Sequence, residues 1–311
     1  MIETVEILLA TYNGEKFIQE QLDSLMNQSN TNFKIVIRDD GSTDNTIKII
    51  NEYQQKFPTK ITILKDDKKN VGATQNFGIL LQYAAADYIF FCDQDDVWLP
   101  NKVEVSLQKI KAIEVDKTIP CLVFSDMKAI DENGNITSNS VWQQLLLHPK
   151  YFVLNRLLVQ NIPHGCTMLI NKAMRNLAIP IPKEALLHDH WIALLATACG
   201  KYTVINEPLL LLRNHTQNVT RQHNSIFDKL QRASYNLFSK STYEHFIAIR
   251  VSQAEVLLAR IRNKISKENS ELIENFILLK NAGSWQRKKI FIKNKFYRTT
   301  FAHTLKMILR S

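Results

Sequence analysis

The sequence predicts an α/β fold, a mainly parallel sheet with helices on both faces, followed by a C-terminal helical extension. Short apolar runs alternate with segments of helical apolar spacing near the N-terminus, as in parallel sheets covered on both faces. Each apolar run ends in a polar turn. Beyond residue 226 the spacing stays helical with few turn residues, so we divide the chain into a sheet domain, residues 1–225, and a basic helical extension, residues 226–311.

The individual elements follow from the same patterns. Thr43 or Asp44 is the expected N-cap of the second helix. Asn133-Gly134 predicts a hairpin turn after the fifth strand. The predicted strands lie at residues 5–10, 33–37, 61–64, 88–92, 121–125, 167–170 and 209–212.

Composition indicates a globular protein. The chain has 311 residues, of which 45% are hydrophobic and 22% charged, a balance that excludes disorder over most of its length. The four cysteines are widely spaced without a zinc-site pattern, so we interpret them as buried apolar residues. A signal-peptide pattern and an apolar run of membrane-spanning length are both lacking from the sequence, and we therefore expect a cytoplasmic location.

The positive charge is concentrated in the C-terminal segment. The net charge is +9, all 30 acidic residues lie at or before Glu274, and residues 275–311 carry Lys and Arg without Asp or Glu. The segment interleaves these cations with aromatic residues, a composition that suits the headgroup layer of an anionic membrane. The alternative is a basic helix that packs on the domain with one face and is solvated on the other. We expect no nucleic-acid binding, because no recognised nucleic-acid-binding fold accompanies the charge.

Asp93, Asp95 and Asp96 follow directly after a buried strand and form the most informative cluster. Three carboxylates within four residues repel one another, so a cation is expected to hold them together. Oxygen ligands of this type favour Mg²⁺ or Mn²⁺. The alternative is an acidic turn that caps the next helix.

Polar turns after the first two strands predict a nucleotide site. Thr11 to Gly14 offer backbone amides and a hydroxyl to a ribose or phosphate, although an ordinary turn has the same composition. Asp39 and Asp40 follow the second strand, where a carboxylate can accept the N3 hydrogen of uracil or thymine. A helix-capping role is the alternative for this turn.

The segments Leu9 to Asn13, Asp39 to Asp44, Asn70 to Gly72 and Asp93 to Trp98, taken in this order, resemble family 2 of the inverting glycosyltransferases. The resemblance covers about the first 220 residues. It implies the Rossmann-like GT-A fold. The Asp-Gln-Asp-Asp-Val-Trp form is most similar to bacterial rhamnosyltransferases and related enzymes of surface-polysaccharide assembly, which includes capsule and lipopolysaccharide.

The resemblance implies a nucleotide-sugar donor and a divalent ion. Asp93 and Asp95 match the DxD element that ligates Mg²⁺ or Mn²⁺, with Asp96 as the alternative to Asp95, and His215 matches a histidine that completes the metal site or contacts the diphosphate. A surface loop is the alternative for His215. Many relatives carry Arg where Gln75 stands. The donor-binding residues implied are Thr11, Tyr12, Asn13, Asp39, Asp40, Gly72, Asn76 and Asp93, with Asp40 preferred over Asp39 for the base.

Asp189 matches the acceptor-side motif that supplies the catalytic base. Because it opens a predicted helix, we expect the helix dipole to keep it ionised, while a helix cap is the alternative role. For the two flanking histidines a structural role is equally open, and for Trp98 burial in the core is the alternative. The residues assigned to the acceptor pocket are Trp98, Gly165, His188, His190 and Trp191.

The implied activity is transfer of rhamnose or another hexose, with inversion, from a dTDP- or UDP-sugar to a hydroxyl of a glycan or lipid-linked glycan. The expected location is the inner face of the cell membrane, held peripherally by the basic C-terminal segment. Two alternatives remain at this point: an inactive protein that only binds nucleotide sugars, and a nucleotidyltransferase. The second would release pyrophosphate from a nucleoside triphosphate, whereas a glycosyltransferase releases a nucleoside diphosphate.

Overall fold

The computed structural model describes residues 3–215 and 240–310, so the predicted boundary at residue 225 lies outside the described residues. Nine strands of the described chain form one sheet. The strands are β1 (Val5–Thr11), β2 (Lys34–Asp39), β3 (Ile61–Ile63), β4 (Tyr88–Asp93), β5 (Val97–Trp98), β6 (Cys121–Ile130), β7 (Ile136–Ser138), β8 (Leu169–Asn171) and β9 (Lys201–Arg213).

Helices connect these strands and continue after the sheet. Short 3₁₀ helices lie at Pro149–Tyr151, Gly165–Thr167 and Leu278–Lys280. The α-helices of the described residues are α1 (Ile18–Met26), α2 (Thr46–Lys56), α3 (Ala73–Tyr83), α4 (Lys102–Ile113), α5 (Val141–Gln144), α6 (Leu154–Leu157), α7 (Lys172–Ala178), α8 (His188–Cys199), α9 (Lys240–Ile261), α10 (Lys267–Ile277), α11 (Ser284–Lys293) and α12 (Phe301–Arg310).

The sheet order is β3-β2-β1-β4-β8-β6-β9-β5, with β7 paired to β6. The half from β3 to β4 is parallel, as the alternating strands and helices predict. Beyond β4 the sheet is mixed, because β8 runs antiparallel to both β4 and β6, while β6 and β9 are parallel. The carboxyl ends of β1, β2 and β4 therefore meet at one edge of the sheet.

Two apolar layers cover the sheet. Helices α1, α2 and α4 bury residues such as Leu22, Ile50 and Val103 on one face. Helices α3 and α8 pack on the other face together with residues of the C-terminal helices, including Leu257 and Phe276. The C-terminal helices therefore share a continuous core with the sheet domain.

Helix α2 has Asn45 as its N-cap, without a capping hydrogen bond from the side chain, so the prediction of Thr43 or Asp44 at this position is wrong. Asp44, one residue before the N-cap, still accepts backbone N–H groups near the start of the helix. Its Oδ1 accepts the N–H of Thr46 at 3.0 Å and its Oδ2 accepts the N–H of Glu15 at 3.1 Å. Asp39 and Asp40 lie further upstream, and their carboxylates accept N–H groups of loops rather than of helix α2.

Candidate active site

A cavity of about 1060 Å³ opens at the carboxyl ends of β1 and β4. Thr11 to Gly14, Asp40, Gly72, Asn76, Asp93 and Asp95 line one part of it. Gly165, His188, Asp189 and His215 line the rest, together with Asn161. The structure therefore gathers in one cavity most of the residues that the sequence predicts for donor, metal and acceptor.

Gln94 joins the first turn to the acidic cluster. Its Oε1 accepts the N–H of Tyr12 at 2.8 Å, and its Nε2 donates to the Tyr12 carbonyl at 2.9 Å. A side chain at Gly14 would collide with Gln94, since a Cβ there would lie 2.2 Å from its Oε1. These two hydrogen bonds between the Gln94 side chain and the Tyr12 backbone fix the distance between the turn after β1 and the carboxylates of Asp93 and Asp95, which flank Gln94.

Asn13 ties the first turn to the second. Its N–H donates to Ser42 Oγ at 2.8 Å, and its Oδ1 accepts the N–H of Thr43 at 2.8 Å. Asn13 adopts the left-handed conformation, with φ of 47°. Asparagine tolerates that conformation better than most residues, so the sequence choice fits the sharp turn.

Asp40 faces the cavity, whereas Asp39 organises the loop. Oδ1 of Asp39 accepts the Thr11 hydroxyl at 2.9 Å, and its Oδ2 accepts the N–H groups of Gly41 and Ser42 at 2.9 and 2.7 Å. Both oxygens of the Asp39 carboxylate are therefore used in hydrogen bonds within this part of the protein. These hydrogen bonds do not support Asp39 as the residue that contacts a nucleobase.

Asp40 is held by the loop that begins α3. Its carboxylate oxygens accept the N–H of Val71 at 3.0 Å and of Gly72 at 2.9 Å. Gly72 has φ of 81°, a conformation that favours glycine. Oδ1 of Asp40 also accepts from Arg38 at 3.2 Å, so Oδ2, which accepts one hydrogen bond, is the oxygen with a lone pair left for a donor in the cavity.

Arg38, which sequence reasoning overlooked, supports this wall from behind. Its buried guanidinium contacts Asp40 at 3.2 Å, Asn76 Oδ1 at 3.0 Å and Asp66 at 2.7 Å. The hydrogen bond to Asp66 is the main cause that raises the pKa of Arg38 above its ordinary value. Asn76 therefore acts through Arg38 to position the loop, although it also lines the cavity. The sequence of the Asp39-Asp40 motif does not indicate that Arg38, the residue before it, binds Asp40.

The acidic cluster carries unsatisfied negative charge. Burial, together with the charges of Asp95 and Asp189, raises the pKa of Asp93 to about 7. Burial likewise raises the pKa of Asp96 well above its ordinary value. Oδ2 of Asp96 is buried without a hydrogen-bond partner among the described residues. Carboxyl oxygens of Asp93 and Asp96 lie within 4.8 Å of each other and of the Cys166 thiol.

His215 reaches the same cluster from the end of β9. Its Nε2 lies 2.7 Å from Oδ2 of Asp95. Asp95 lines the cavity, whereas Asp96 is buried behind it and accepts the Arg213 N–H at 3.3 Å. The cavity therefore presents Asp93, Asp95 and His215 to a ligand, and Asp96 contributes charge from below.

These residues fit a divalent cation. The orphaned oxygen of Asp96 and the mutual repulsion that raises the pKa of Asp93 are both relieved by a positive charge at this point. Carboxylate oxygens with one imidazole nitrogen form a ligand set suited to Mn²⁺ and tolerated by Mg²⁺. Within the described residues, three possible ligand atoms lie within 4.8 Å of one another only at Asp93, Asp96 and Cys166, whereas Asp93, Asp95 and His215 face the cavity. Asp93, Asp95 and His215, the set implied by the family resemblance, would hold the ion only after their side chains move closer together, and this set stays a prediction.

Asp189 lies at the start of α8 with a raised pKa. Burial raises its pKa more than hydrogen bonds from the N–H groups of His190 and Gly165 and from Asn161 lower it, and the net pKa is about 6. The Gly165 bond measures 3.0 Å and the Asn161 bond 3.1 Å. Burial thus outweighs the helix dipole that the sequence analysis emphasised. At neutral pH the group remains mostly ionised, with a pKa closer to that pH than an ordinary carboxylate has.

His188 faces the cavity, and Gly165 makes room for it. The ring lies 4.1 Å from the ring of Phe77 and 5.2 Å from that of Phe91. Both ring nitrogens are without a hydrogen-bond partner among the described residues, and burial lowers the pKa of His188 to about 3. A Cβ at Gly165 would lie 2.4 Å from His188 Nε2, so only glycine fits this contact.

The structure corrects the assignment of Trp98 to the pocket wall. Trp98 is 2% exposed and lies in the core, with its ring 5.4 Å from that of Phe90. The Lys102 ammonium lies 4.4 Å from the ring centroid. Strand β5 pairs antiparallel with β9, and this places the indole beneath the sheet rather than at the cavity.

His190 and Trp191 are corrected in the same way. The Nε2–H of His190 donates to the Leu157 carbonyl at 2.6 Å, and Trp191 donates its indole N–H to the Ala178 carbonyl at 3.0 Å. Both side chains are buried. These two hydrogen bonds join α8 to neighbouring segments. Because successive side chains of a helix point about 100° apart, His188 and Asp189 are the α8 residues whose side chains reach the cavity.

The cavity also includes residues that the sequence analysis missed. Asn161 holds Asp189, and it lies just before the Pro163 to Thr167 segment that the family resemblance covers. Arg298, Thr299 and Thr300 come from the link between α11 and α12 and line the same cavity. Their local sequence carries no motif, so only the fold reveals them.

Fold and cavity together place the chain among α/β proteins of the GT-A type, whose ligands bind where parallel strands end. Residues 6–177 match the family model described as glycosyl transferase family 2, and the chain belongs to this family. The family resemblance drawn from the motifs is thereby confirmed.

Individual relatives agree with the family. The dTDP-rhamnosyl transferase RfbG of Shigella flexneri is 28% identical over 303 residues, covering 90% of this chain and 95% of RfbG. The uncharacterized glycosyltransferase MJ1057 of Methanocaldococcus jannaschii is 32% identical over 217 residues, covering 67% of this chain and 70% of MJ1057.

Solved structures share the fold. The structure of TarS residues 1-349 from S. aureus in complex with UDP has a TM-score of 0.58 at 17% identity, covering 88% of this chain and 70% of that chain. The mannosyltransferase PcManGT from Pyrobaculum calidifontis, in complex with GDP-Man and Mn²⁺, has a TM-score of 0.51 at 14% identity, covering 100% of this chain and 87% of that chain. These similarities confirm the predicted GT-A fold.

Proposed function

We propose that this family 2 glycosyltransferase transfers rhamnose or another hexose, with inversion, from a dTDP- or UDP-sugar to a hydroxyl of a glycan or lipid-linked glycan in cell-surface polysaccharide biosynthesis. The observation that carries the proposal is the placement of Asp189. Its buried carboxylate shares one cavity with Asp93 and Asp95, and its charge raises the pKa of Asp93. A proton acceptor and a diphosphate site are thus neighbours.

The donor nucleotide is proposed to occupy the wall built from Thr11 to Asn13 and Asp40. Asp40 would accept the N3 hydrogen of uracil or thymine. The relative RfbG is named a dTDP-rhamnosyl transferase, and the TarS structures contain UDP or UDP-GlcNAc, which supports donors with these two bases. Mg²⁺ or Mn²⁺ at Asp93, Asp95 and His215 would neutralise negative charge on the departing nucleoside diphosphate.

In the proposed reaction Asp189 takes the proton of the acceptor hydroxyl. The hydroxyl oxygen forms a bond to the anomeric carbon, and the bond from that carbon to the diphosphate oxygen breaks with its electron pair. Charge develops on the sugar ring as in other glycosyl transfers. Attack from the face opposite the leaving group inverts the anomeric centre, so no enzyme nucleophile is needed. Gly165 and Asn161 hold the carboxylate in place through their hydrogen bonds.

The test uses Asp189→Asn with Asp67→Asn as a matched control at an exposed carboxylate. With a panel of dTDP- and UDP-sugars and Mn²⁺, the wild-type protein should release nucleoside diphosphate and transfer the sugar to an acceptor. Asp189→Asn should lose transfer by about 10²- to 10⁴-fold and keep donor affinity. Full activity of Asp189→Asn would refute its role as the base.

The two alternatives give different results in the same assay. Tight donor binding by the wild-type protein without transfer or hydrolysis across an acceptor panel would favour an inactive binding protein. Release of pyrophosphate from a nucleoside triphosphate would favour a nucleotidyltransferase.

We further propose that the chain lies peripherally on the inner, anionic face of the cell membrane through its C-terminal segment. On α11, Trp285 and Ile292 are 70% and 56% exposed, and the Lys289 ammonium lies 3.5 Å from the centroid of the Trp285 ring. With Lys288 these residues follow the i, i+3, i+4, i+7 spacing of one helix face. None of the helices in the described part of the chain is both long and apolar enough to span a bilayer.

Co-sedimentation with vesicles tests this contact. Binding to vesicles that contain phosphatidylglycerol should exceed binding to pure phosphatidylcholine and should weaken in Trp285→Ala and Lys289→Gln. Val115→Ala, at an exposed apolar residue outside α11, is the control and should bind normally. Equal binding by Trp285→Ala and Val115→Ala would contradict the proposed surface.

A further inference from the structure

The link between α11 and α12 forms part of the active-site cavity. Arg298, Thr299 and Thr300 line it, although they follow the last sheet strand by many residues. The Thr299 N–H donates to Gln160 Oε1 at 3.1 Å, and Arg156 donates to the Arg298 carbonyl at 2.9 Å. The C-terminal segment is therefore bound to the loop around Gln160 by backbone as well as side-chain contacts.

Arg298 and Arg250 bring two guanidinium groups near each other without a carboxylate. Arg250 donates through Nε to the Val159 carbonyl at 3.1 Å and lies 3.7 Å from the centroid of the Phe246 ring. Arg298 lies 5.9 Å from the same centroid. Within residues 3–215 and 240–310, neither arginine forms an ion pair.

The two cations are partly removed from water. Burial, together with the charge of Arg298, lowers the pKa of Arg250 to about 9. Burial also lowers the pKa of Arg298 from its ordinary value. Holding like charges together in a desolvated place is unfavourable, and an anion that binds between them or beside them would offset that cost.

The outer face of Arg298 has unused donors. Its Nε reaches Gln160 Oε1 at 3.5 Å, and its two terminal nitrogens have no hydrogen-bond partner among the described residues. A guanidinium fork of this kind matches the paired oxygens of a phosphoryl or carboxylate group. Arg298 also lines the cavity, so a ligand there can reach it.

The position of Arg298 relates it to the acceptor. Gln160, which accepts from Arg298, directly precedes Asn161, and Asn161 donates to the carboxylate of Asp189 at 3.1 Å. If Asp189 is the base, the acceptor hydroxyl lies beside it. The proposed donor wall, by contrast, is built from the β1 and β2 turns and Asp95.

We propose that Arg298, backed by Arg250, binds an oxyanion carried by the acceptor and so selects acidic acceptors over neutral ones. This inference rests on the proposed function, because it uses Asp189 to define the acceptor side. Phosphoryl and carboxylate groups share the chemistry that Arg298 recognises. The C-terminal segment would then complete the acceptor site in addition to its proposed contact with the membrane.

The test measures binding of small probes to the full chain saturated with UDP and Mn²⁺, which fill the donor site. The probes are phenyl phosphate, methyl glucuronide and the neutral methyl glucoside, titrated by calorimetry or competition. We expect at least one anionic probe to bind about tenfold or more tightly than methyl glucoside. The phosphate and glucuronide arms distinguish the two sources of the anion.

The variants are Arg298→Gln, Arg298→Lys and Arg262→Gln. Arg298→Gln should weaken anion binding about tenfold or more and leave UDP affinity unchanged. Arg298→Lys keeps the positive charge and loses the paired guanidinium donors, so it should weaken anion binding less than Arg298→Gln does. If Arg298→Gln does not fold, the affinity of Arg298→Lys for the anionic probes tests the proposal. Arg262→Gln removes an exposed arginine as a matched control and should bind the probes normally.

Three results would overturn the inference. Anionic probes could bind no better than methyl glucoside, Arg262→Gln could weaken them as much as Arg298→Gln, or UDP affinity could fall together with probe affinity in Arg298→Gln. The last result would assign Arg298 to the donor. Failure of the proposed function has a different signature, namely no UDP binding or donor turnover by the wild-type protein.

Discussion

Removing the amide of Asn161 should move the pH dependence of the reaction to higher pH. The carboxylate of Asp189 accepts hydrogen bonds from His190, Gly165 and Asn161, and the last of these measures 3.1 Å. Each bond favours the charged form, whereas burial favours the neutral form, and the net pKa is about 6. Asn161→Ala deletes one of the three donors without touching the carboxylate.

The expected shift is about one pKa unit. A hydrogen bond to a charged group contributes about 1.5 to 3 kcal/mol, and we take the lower end because water can enter the space that alanine leaves. One pKa unit corresponds to about 1.4 kcal/mol. The pKa of Asp189 should therefore rise from about 6 to about 7 in Asn161→Ala.

The sign follows from the role of a base, which acts only when ionised. Activity is lost as the pH falls through the pKa, so a higher pKa causes the loss at a higher pH. At about pH 6.5 the ionised fraction of Asp189 falls from about three quarters to about one quarter, a roughly threefold loss of kcat/KM. Near pH 8.5 the variant and wild-type protein should have similar rates.

The assay is nucleoside diphosphate release with saturating Mn²⁺ from about pH 5 to pH 9. Asn281→Ala, at an exposed asparagine outside the cavity lining, is the control and should keep the wild-type profile. An acid limb that stays in place in Asn161→Ala, or that moves equally in Asn281→Ala, would refute the reasoning about Asp189.

Three further perturbations test other parts of the site. Arg38→Ala should lower the free energy of unfolding in urea by about 3 kcal/mol, because it leaves the buried carboxylate of Asp40 without its guanidinium partner; an unchanged midpoint would contradict this. Gly165→Ala should reduce kcat, since its Cβ would lie 2.4 Å from His188 Nε2, whereas Gly78→Ala meets only ordinary contacts and should be active. His215→Ala should raise the Mn²⁺ concentration for half-maximal activity about tenfold or more, and an unaltered metal requirement would remove His215 from the ion site.

Much of the donor half of the site could be predicted from sequence. Carboxyl ends of parallel strands meet at one edge, so the turns at Thr11, Asp40 and Asp93 had to converge once the strands were recognised. The structure places all three in one cavity. Periodicity and turn composition are local properties, and local properties are what a sequence displays directly.

The burial of individual side chains could not be predicted in the same way. Trp98 and Trp191 lie in the core although they stand within or beside functional motifs. The position of Asp189 at a helix start predicts a carboxylate that the helix dipole keeps ionised, but desolvation dominates and raises its pKa. Desolvation depends on the atoms that tertiary packing brings around a group, and these come from distant parts of the chain.

The sequence by itself determined the order of the first four strands and the helices between them, the family, and the residue types available at each polar turn, whereas it did not predict the short strands β5 and β7. Only the tertiary structure decided that Asn161 holds Asp189 and that Arg298 enters the cavity beside Gln160. The partners in the last pair are 138 residues apart. Contacts at such separations are set by how helices pack on the sheet, and no local pattern around either residue records them.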